Sequence, residues 1–118
     1  MSDSIEILRH QLSQFAKKRD WEQFHSPKNL SMALIAEVAE LIEHFQWLTE
    51  EASYNLEEPQ RTEVGLELAD IFIYLIRIAD QLDVNLISVA QEKMAINEQR
   101  FPVSASKDSA NAHGEPRK

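Results

Sequence analysis

Two pairs of carboxylates are the residues whose type and spacing could do chemistry. Glu37-Val38-Ala39-Glu40 holds one pair three residues apart, and Glu67-Leu68-Ala69-Asp70 holds the other. At about 100° per residue, each pair falls within roughly 60° on one face of a helix. Both interrupt apolar sequence: Leu34-Ile35-Ala36 precedes the first and Ile71-Phe72-Ile73 follows the second. Four carboxylates gathered within about 5 Å would repel by roughly 3 kcal/mol per pair at an effective dielectric near 20. Such a group persists only if protonated or neutralised by cations, and an all-oxygen donor set suits Mg²⁺ or Mn²⁺ rather than zinc. Glu43 extends the first stripe by another three residues, as a further ligand or a water-positioning base, whereas Glu63 reads as solvated. The bland alternative is that Glu-x-x-Glu decorates many solvent-exposed helices. Two pairs on successive helices, both set in apolar sequence, weigh against it. A di-iron bundle would need Glu-x-x-His pairs; here His44 follows Glu40 by four, and no second such pair exists.

The elements that must position these groups are helical. Ile5, Leu8, Leu12, Phe15 and Ala16 recur at three- and four-residue steps and predict a first helix over about 4–18. Ser26 followed by Pro27 reads as an N-cap with proline in the first turn. From there Leu30, Ala33, Leu34, Val38, Leu41, Ile42 and Phe45 mark a second helix running to about Leu48. Residues 49–58 read as a loop with at most one helical turn. A third helix begins near Pro59 and carries Val64, Leu68, Ile71, Phe72, Leu75, Ile76 and Ala79, with Gly65 costing about 1 kcal/mol relative to Ala near its start. Asp83-Val84-Asn85 closes it and caps a fourth helix, about 86–100, with Leu86, Val89, Ala90 and Met94 expected to point inward. Residues 1–102 form one all-α domain, and 103–118 read as a polar, mobile tail. The third helix is apolar around most of its circumference between Ile71 and Ala79. Burial between protomers or at the centre of one monomer would each satisfy it.

Composition narrows the function classes. Two Gly and four Pro offer little turn chemistry for an all-β fold, and zero Cys removes thiolate zinc sites, cysteine nucleophiles and disulfides together. A formal net charge of -8 argues against sequence-independent nucleic-acid binding, and would repel a free nucleotide unless divalent cations intervene. No secretory signal opens the chain and no apolar run is long enough for a bilayer, so a soluble cytoplasmic protein with no membrane partner is expected.

The pattern Glu37-x-x-Glu40, 26 intervening residues, then Glu67-x-x-Asp70 resembles the metal-binding motif of the all-α NTP pyrophosphatase (MazG-like) superfamily. Arg19-Asp20-Trp21-Glu22-Gln23-Phe24-His25, Phe45-Gln46-Trp47, the run from Asp70 to Leu75 and the run from Lys93 to Pro102 look like its dCTP pyrophosphatase branch. The resemblance covers about residues 5–102. It implies a four-helix MazG-like bundle, which the apolar third helix is expected to assemble into a dimer or dimer-of-dimers. It also implies Mg²⁺-dependent hydrolysis of a (d)NTP between the α and β phosphates. Glu37, Glu40, Glu67 and Asp70 would hold the metal, with Glu40 or Glu43 taking a proton from water. By the same resemblance Trp21, Trp47 and His25 enclose the base; ordinary packing is the rival role for each tryptophan.

Tyr74, one turn beyond Asp70, is placed to reach phosphates or sugar, with a buried structural tyrosine as the alternative. Lys93, Asn97 and Arg100 share one face of the fourth helix and are candidates for phosphates and a base edge, although basic residues near a helix C-terminus also suit its dipole. One departure is visible: the dCTP branch carries a histidine near the position of Leu12, and the nearest here is His10. The substrate expected is dCTP or a related or modified pyrimidine deoxynucleotide, in nucleotide-pool house-cleaning. Two alternatives stay open. One is a non-catalytic acidic helical interaction protein, and the other is a pyrophosphohydrolase of another nucleotide such as a phosphoribosyl nucleotide.

Overall fold

The computed structural model describes residues 3–103, and every regular element among them is helical. In order these are α1 (Asp3–Lys18), a 3₁₀ turn (Glu22–Phe24), α2 (Pro27–Glu43), the one-turn α3 (Glu50–Ser53), α4 (Gln60–Gln81) and α5 (Leu86–Arg100). The four long helices are the four that the apolar periodicity predicts. The chain divides into two compact units, Met1–Val84 and Asn85–Lys118. The polar-tail expectation for 103–118 falls, from residue 104 on, outside the described residues.

Local chemistry sets the boundaries. Ser26 Oγ accepts from the Asn29 amide at 3.1 Å with Pro27 in the first turn, and the Asn29 side chain donates to the Phe24 carbonyl at 3.1 Å. Those bonds lock the 3₁₀ turn to the start of α2. Thr49 caps α3 through the Ala52 amide, and Asn85 caps α5 through the Ser88 amide, both at 3.0 Å. α1 and α4 end alike. The Trp21 amide reaches the Ala16 carbonyl (2.9 Å) while the Asp20 amide reaches Lys17 (3.0 Å). At α4, Val84 reaches Ala79 (2.8 Å) and Asp83 reaches Asp80 (3.2 Å). Asp20 and Asp83 have φ of 57° and 56°. Both ends are therefore Schellman caps built on an aspartate in the left-handed region.

The second helix is shorter than its apolar pattern suggests. It stops at Glu43 rather than near Leu48. The following amides fold back more tightly, His44 to Leu41, Phe45 to Ile42 and Leu48 to Phe45. That exhausts the helix just before Thr49 starts the next one. Gln60 Nε2 donates to the His44 carbonyl at 3.2 Å and ties this turn to the head of α4.

In the first unit α2 packs along α4, and α1 packs against α4 as well. The buried apolar core consists of Ala16, Leu30, Val64, Ile76 and Ala79. That is thin for helices this apolar. Met32, Ile35 and Ile42 of α2 and Leu68, Phe72 and Leu75 of α4 are exposed, Ile35 at 69%. On α5, Val89, Ala90 and Met94 are exposed rather than inward, and of the expected inner stripe only Leu86 is half-buried. No helix among the described residues is long and apolar enough to cross a membrane.

Candidate active site

α2 and α4 bring together carboxylates far apart in sequence. Oxygens of Glu37, Glu67 and Asp70 all lie within 4.8 Å of one another. Glu37 and Glu67 are half-buried and Asp70 is exposed. Burial pushes the Glu37 carboxyl above its ordinary range, and the charges of Glu40, Asp70 and Glu67 add to the effect. Glu40 is exposed and stands outside that threesome. Its carboxyl is nevertheless pushed up, first by the charge of Glu67, then by desolvation and Asp70. Glu67 Oε1 is enclosed and has no hydrogen-bond partner among the described residues. An enclosed carboxylate oxygen without a donor carries a large desolvation cost, which a cation would offset. The donor set is all oxygen, and it fits Mg²⁺ or Mn²⁺. Glu43, the last residue of α2, is exposed and does not belong to the threesome.

Beside this cluster lies a cavity of about 280 Å³ lined largely by apolar and aromatic side chains. Trp21, Phe15 and Ala16 form one wall, and His25, Ile73, Tyr74 and Arg77 are among the rest. The cap at the end of α1 explains the wall: the turn through Asp20 folds Trp21 back over Ala16, which is 2% exposed. Trp21 meets Phe15 edge-on at 5.6 Å between ring centroids and His25 at 6.1 Å. The Arg19 guanidinium sits 3.5 Å over the Phe15 ring. Asp70 belongs both to the carboxylate cluster and to the cavity lining. Tyr74, one turn further along α4, is half-buried. Burial raises its hydroxyl pKa, and the charges of Glu37 and Asp70 push the same way.

Of the residues expected to enclose a base, Trp21 and His25 line the cavity and Trp47 does not; Trp47 is 87% exposed after the end of α2. Leu12 lines the cavity, while His10 is exposed and does not. Lys93, Asn97 and Arg100 lie on α5 in the second unit, with Lys93 and Arg100 exposed and Asn97 half-buried. The site residue that sequence reasoning missed is Arg77. It interrupts the apolar run of α4 and is 4% exposed. Its signal was available: Asp70, Tyr74 and Arg77 fall at i, i+4 and i+7, one helical face.

A helical fold that joins carboxylates from two long helices, α2 and α4, beside an aromatic cavity belongs to a known class, and residues 33–115 match the model of the MazG-like family. The chain belongs to that family. It is 42% identical over 109 residues to mouse dCTP pyrophosphatase 1 and 39% identical over 114 residues to the human protein of the same name. Those alignments cover 91% and 95% of this chain, but 64% of the mouse protein and 67% of the human one. The chain thus spans a little under two thirds of the mouse relative's length. The fold is also that of a pyrophosphatase from Archaeoglobus fulgidus, whose crystal structure superimposes with a TM-score of 0.79 at 37% identity, over 84% of this chain and 93% of the archaeal one.

Proposed function

We propose that this protein hydrolyses dCTP, or a closely related pyrimidine deoxynucleotide, to the monophosphate and pyrophosphate. The observation that carries the reading is the double membership of Asp70. One carboxylate links a cluster suited to a cation-bound triphosphate with a cavity whose walls suit a flat, uncharged ring. The family membership and the similarity to dCTP pyrophosphatase 1 point to the same reaction.

Glu37, Glu67 and Asp70 would hold Mg²⁺, with Glu40 alongside. When bound, the metal neutralises phosphate charge, polarises the α-phosphoryl group and lowers the pKa of an attacking water. The chain's own residues do the remaining work. Trp21 stacks on the base from one side, an interaction worth about 1–3 kcal/mol that does not by itself choose the base. His25 and Tyr74 hold the base end and the sugar or phosphate end of the nucleotide. Glu40 accepts the proton from water as its oxygen bonds to the α-phosphorus and the bond to the bridging α–β oxygen breaks, releasing pyrophosphate. A raised carboxyl pKa suits Glu40 to that transfer better than an ordinary glutamate. Glu43, exposed at the end of α2, is the other candidate for that proton. Lys93 and Arg100 are retained as phosphate-binding candidates and Asn97 as a base-edge one. Trp47 is a candidate to close over the base.

Self-association belongs to the same reading. Exposed Met32, Ile35 and Ile42 on α2, with Leu68, Phe72 and Leu75 on α4, amount to more apolar surface than a monomer usually leaves bare, and a dimer or dimer-of-dimers would cover it. The reading places the enzyme in the cytoplasm, and it needs neither nucleic acid nor membrane. The test compares native protein with Glu67→Gln and Asp70→Ala on a panel of NTPs and dNTPs with Mg²⁺. Turnover confined to one or a few substrates and abolished in both folded variants is expected. Undiminished turnover in the variants would remove the carboxylate assignment, and none with any nucleotide would return the acidic interaction-protein reading.

A further inference from the structure

Behind the aromatic wall runs a chain of charged side chains that the proposed reaction does not use. Arg9 Nη1 on α1 donates to Asp80 Oδ1 on α4 at 3.0 Å, and Asp80 Oδ2 accepts from Arg77 Nη1 at 3.1 Å. Arg77 Nη2 then faces His25 Nδ1 at 3.4 Å. Arg77 has little freedom to do anything else, because it is 4% exposed and one end of its guanidinium is committed to Asp80.

A guanidinium has five N–H donors, no acceptor, and stays protonated in a protein. Facing Arg77, the Nδ1 atom of His25 can only accept. A ring that accepts at Nδ1 is neutral and carries its single proton on Nε2. The alternative tautomer would set an N–H against a cation, and the imidazolium would set two cations together. The electrostatics agree: burial, then the charge of Arg77, holds His25 below its ordinary pKa, and Glu22 opposes this only in part. Burial and the facing Arg77 cation thus both act against protonation of the ring.

We propose that Arg77 is a positioning residue that holds His25 as its neutral Nε2–H tautomer, so that the cavity offers a fixed hydrogen-bond donor to an acceptor on the substrate's base. The Arg9–Asp80–Arg77 chain fixes that donor, reaching the cavity lining only at Arg77. It thereby links the packing of α1 on α4 to base recognition. A pyrimidine with a carbonyl or ring-nitrogen acceptor on the facing edge satisfies the donor; an edge offering only N–H groups there leaves it buried and unpaired. The role in base recognition rests on the nucleotide reading given above, but the tautomer does not.

Long-range ¹H–¹⁵N correlation spectra of the uniformly labelled full chain test the tautomer directly, with His25 assigned through His25→Gln. The native protein near neutral pH is expected to show an unprotonated Nδ1 and a protonated Nε2. A protonated Nδ1, or fast averaging between tautomers, would overturn the proposal before any substrate is added. Arg77→Met is expected to release the ring into a tautomer mixture and to raise the KM for dCTP about tenfold, the scale of one lost hydrogen bond, with kcat changed less than twofold. Arg77→Lys, which keeps a cation and its donors, is expected to restore much of both. A purely structural Arg77 would lower thermal stability with the tautomer unmoved, and that result would contradict the proposal. Should Arg77→Met fail to fold, the native spectrum and Arg77→Lys still decide it. Failure of the native protein to turn over dCTP would count against the pyrophosphatase reading alone.

Discussion

The Trp21 amide donates to the carbonyl of Ala16 at 2.9 Å, and that one bond swings the indole back over the helix it has just left. The wall of the cavity therefore depends on Asp20, the residue that turns through φ 57° between them. An aspartate in the left-handed region carries a backbone cost that glycine does not. Asp20→Gly is expected to stabilise the fold by about 0.5–1 kcal/mol, a rise of a few degrees in Tm by calorimetry. Asp20→Val is expected to lower Tm and raise the KM for dCTP together, because the strained cap and the position of Trp21 are one feature.

Trp21 itself separates stacking from packing. Trp21→Phe keeps a flat ring beside Phe15, and Trp21→Ala removes it. Loss of stacking worth about 1–3 kcal/mol translates into a rise in KM of about five- to 150-fold for the alanine variant, with the phenylalanine variant in between. Steady-state kinetics at saturating Mg²⁺ would measure it. Equal KM values in all three proteins would take the base away from this wall.

Glu37 is held at a cost that a metal should remove. Its carboxyl pKa is raised above the ordinary value of 4.5. The native state therefore binds that proton more tightly than the unfolded chain does, and stability falls as pH rises from 4.5 through the folded value. In chelator, Glu37→Gln is expected to raise Tm at about pH 7.5 and to leave it nearly unchanged at about pH 4, where both proteins carry a neutral group. With Mg²⁺ and a non-hydrolysed dCTP analogue the order should reverse, since native protein gains stability by binding and the variant gains less. Thermal scans of both proteins over the three conditions read both effects.

His25 shifts the other way. Its pKa lies below the ordinary 6.5, so the native state resists a proton that the unfolded chain accepts. Its penalty is absent above pH 6.5 and grows as pH falls below that value toward the folded pKa. Native protein is expected to lose stability relative to His25→Gln across that interval. Parallel Tm curves for the two proteins would show that the ring titrates normally.

Much of this was legible in the residues. Ser26-Pro27 and Asn85 announce their helix starts because capping chemistry is local, and the four long helices follow from apolar steps of three and four. Glu37, Glu67 and Asp70 could be singled out because carboxylates set in apolar sequence are costly unless something neutralises them. The end of α2 could not be read. Phe45, Trp47 and Leu48 continue the apolar spacing, and only the backbone geometry reveals that the chain tightens after Glu43. Arg77 was passed over for a different reason. An arginine among Ile and Leu looks like an interruption until Asp80 and His25, three residues ahead and 52 behind, are seen to flank it. Contacts between elements carry no sequence period.

The central claim is the bond that breaks. Native protein is incubated with dCTP and Mg²⁺, and the products are separated by ion-exchange chromatography. The account requires dCMP and pyrophosphate in equal amounts, with nothing released when Mg²⁺ is chelated. Appearance of dCDP and phosphate, or no product from dCTP or a related pyrimidine deoxynucleotide while a purine nucleotide is cleaved, would contradict it.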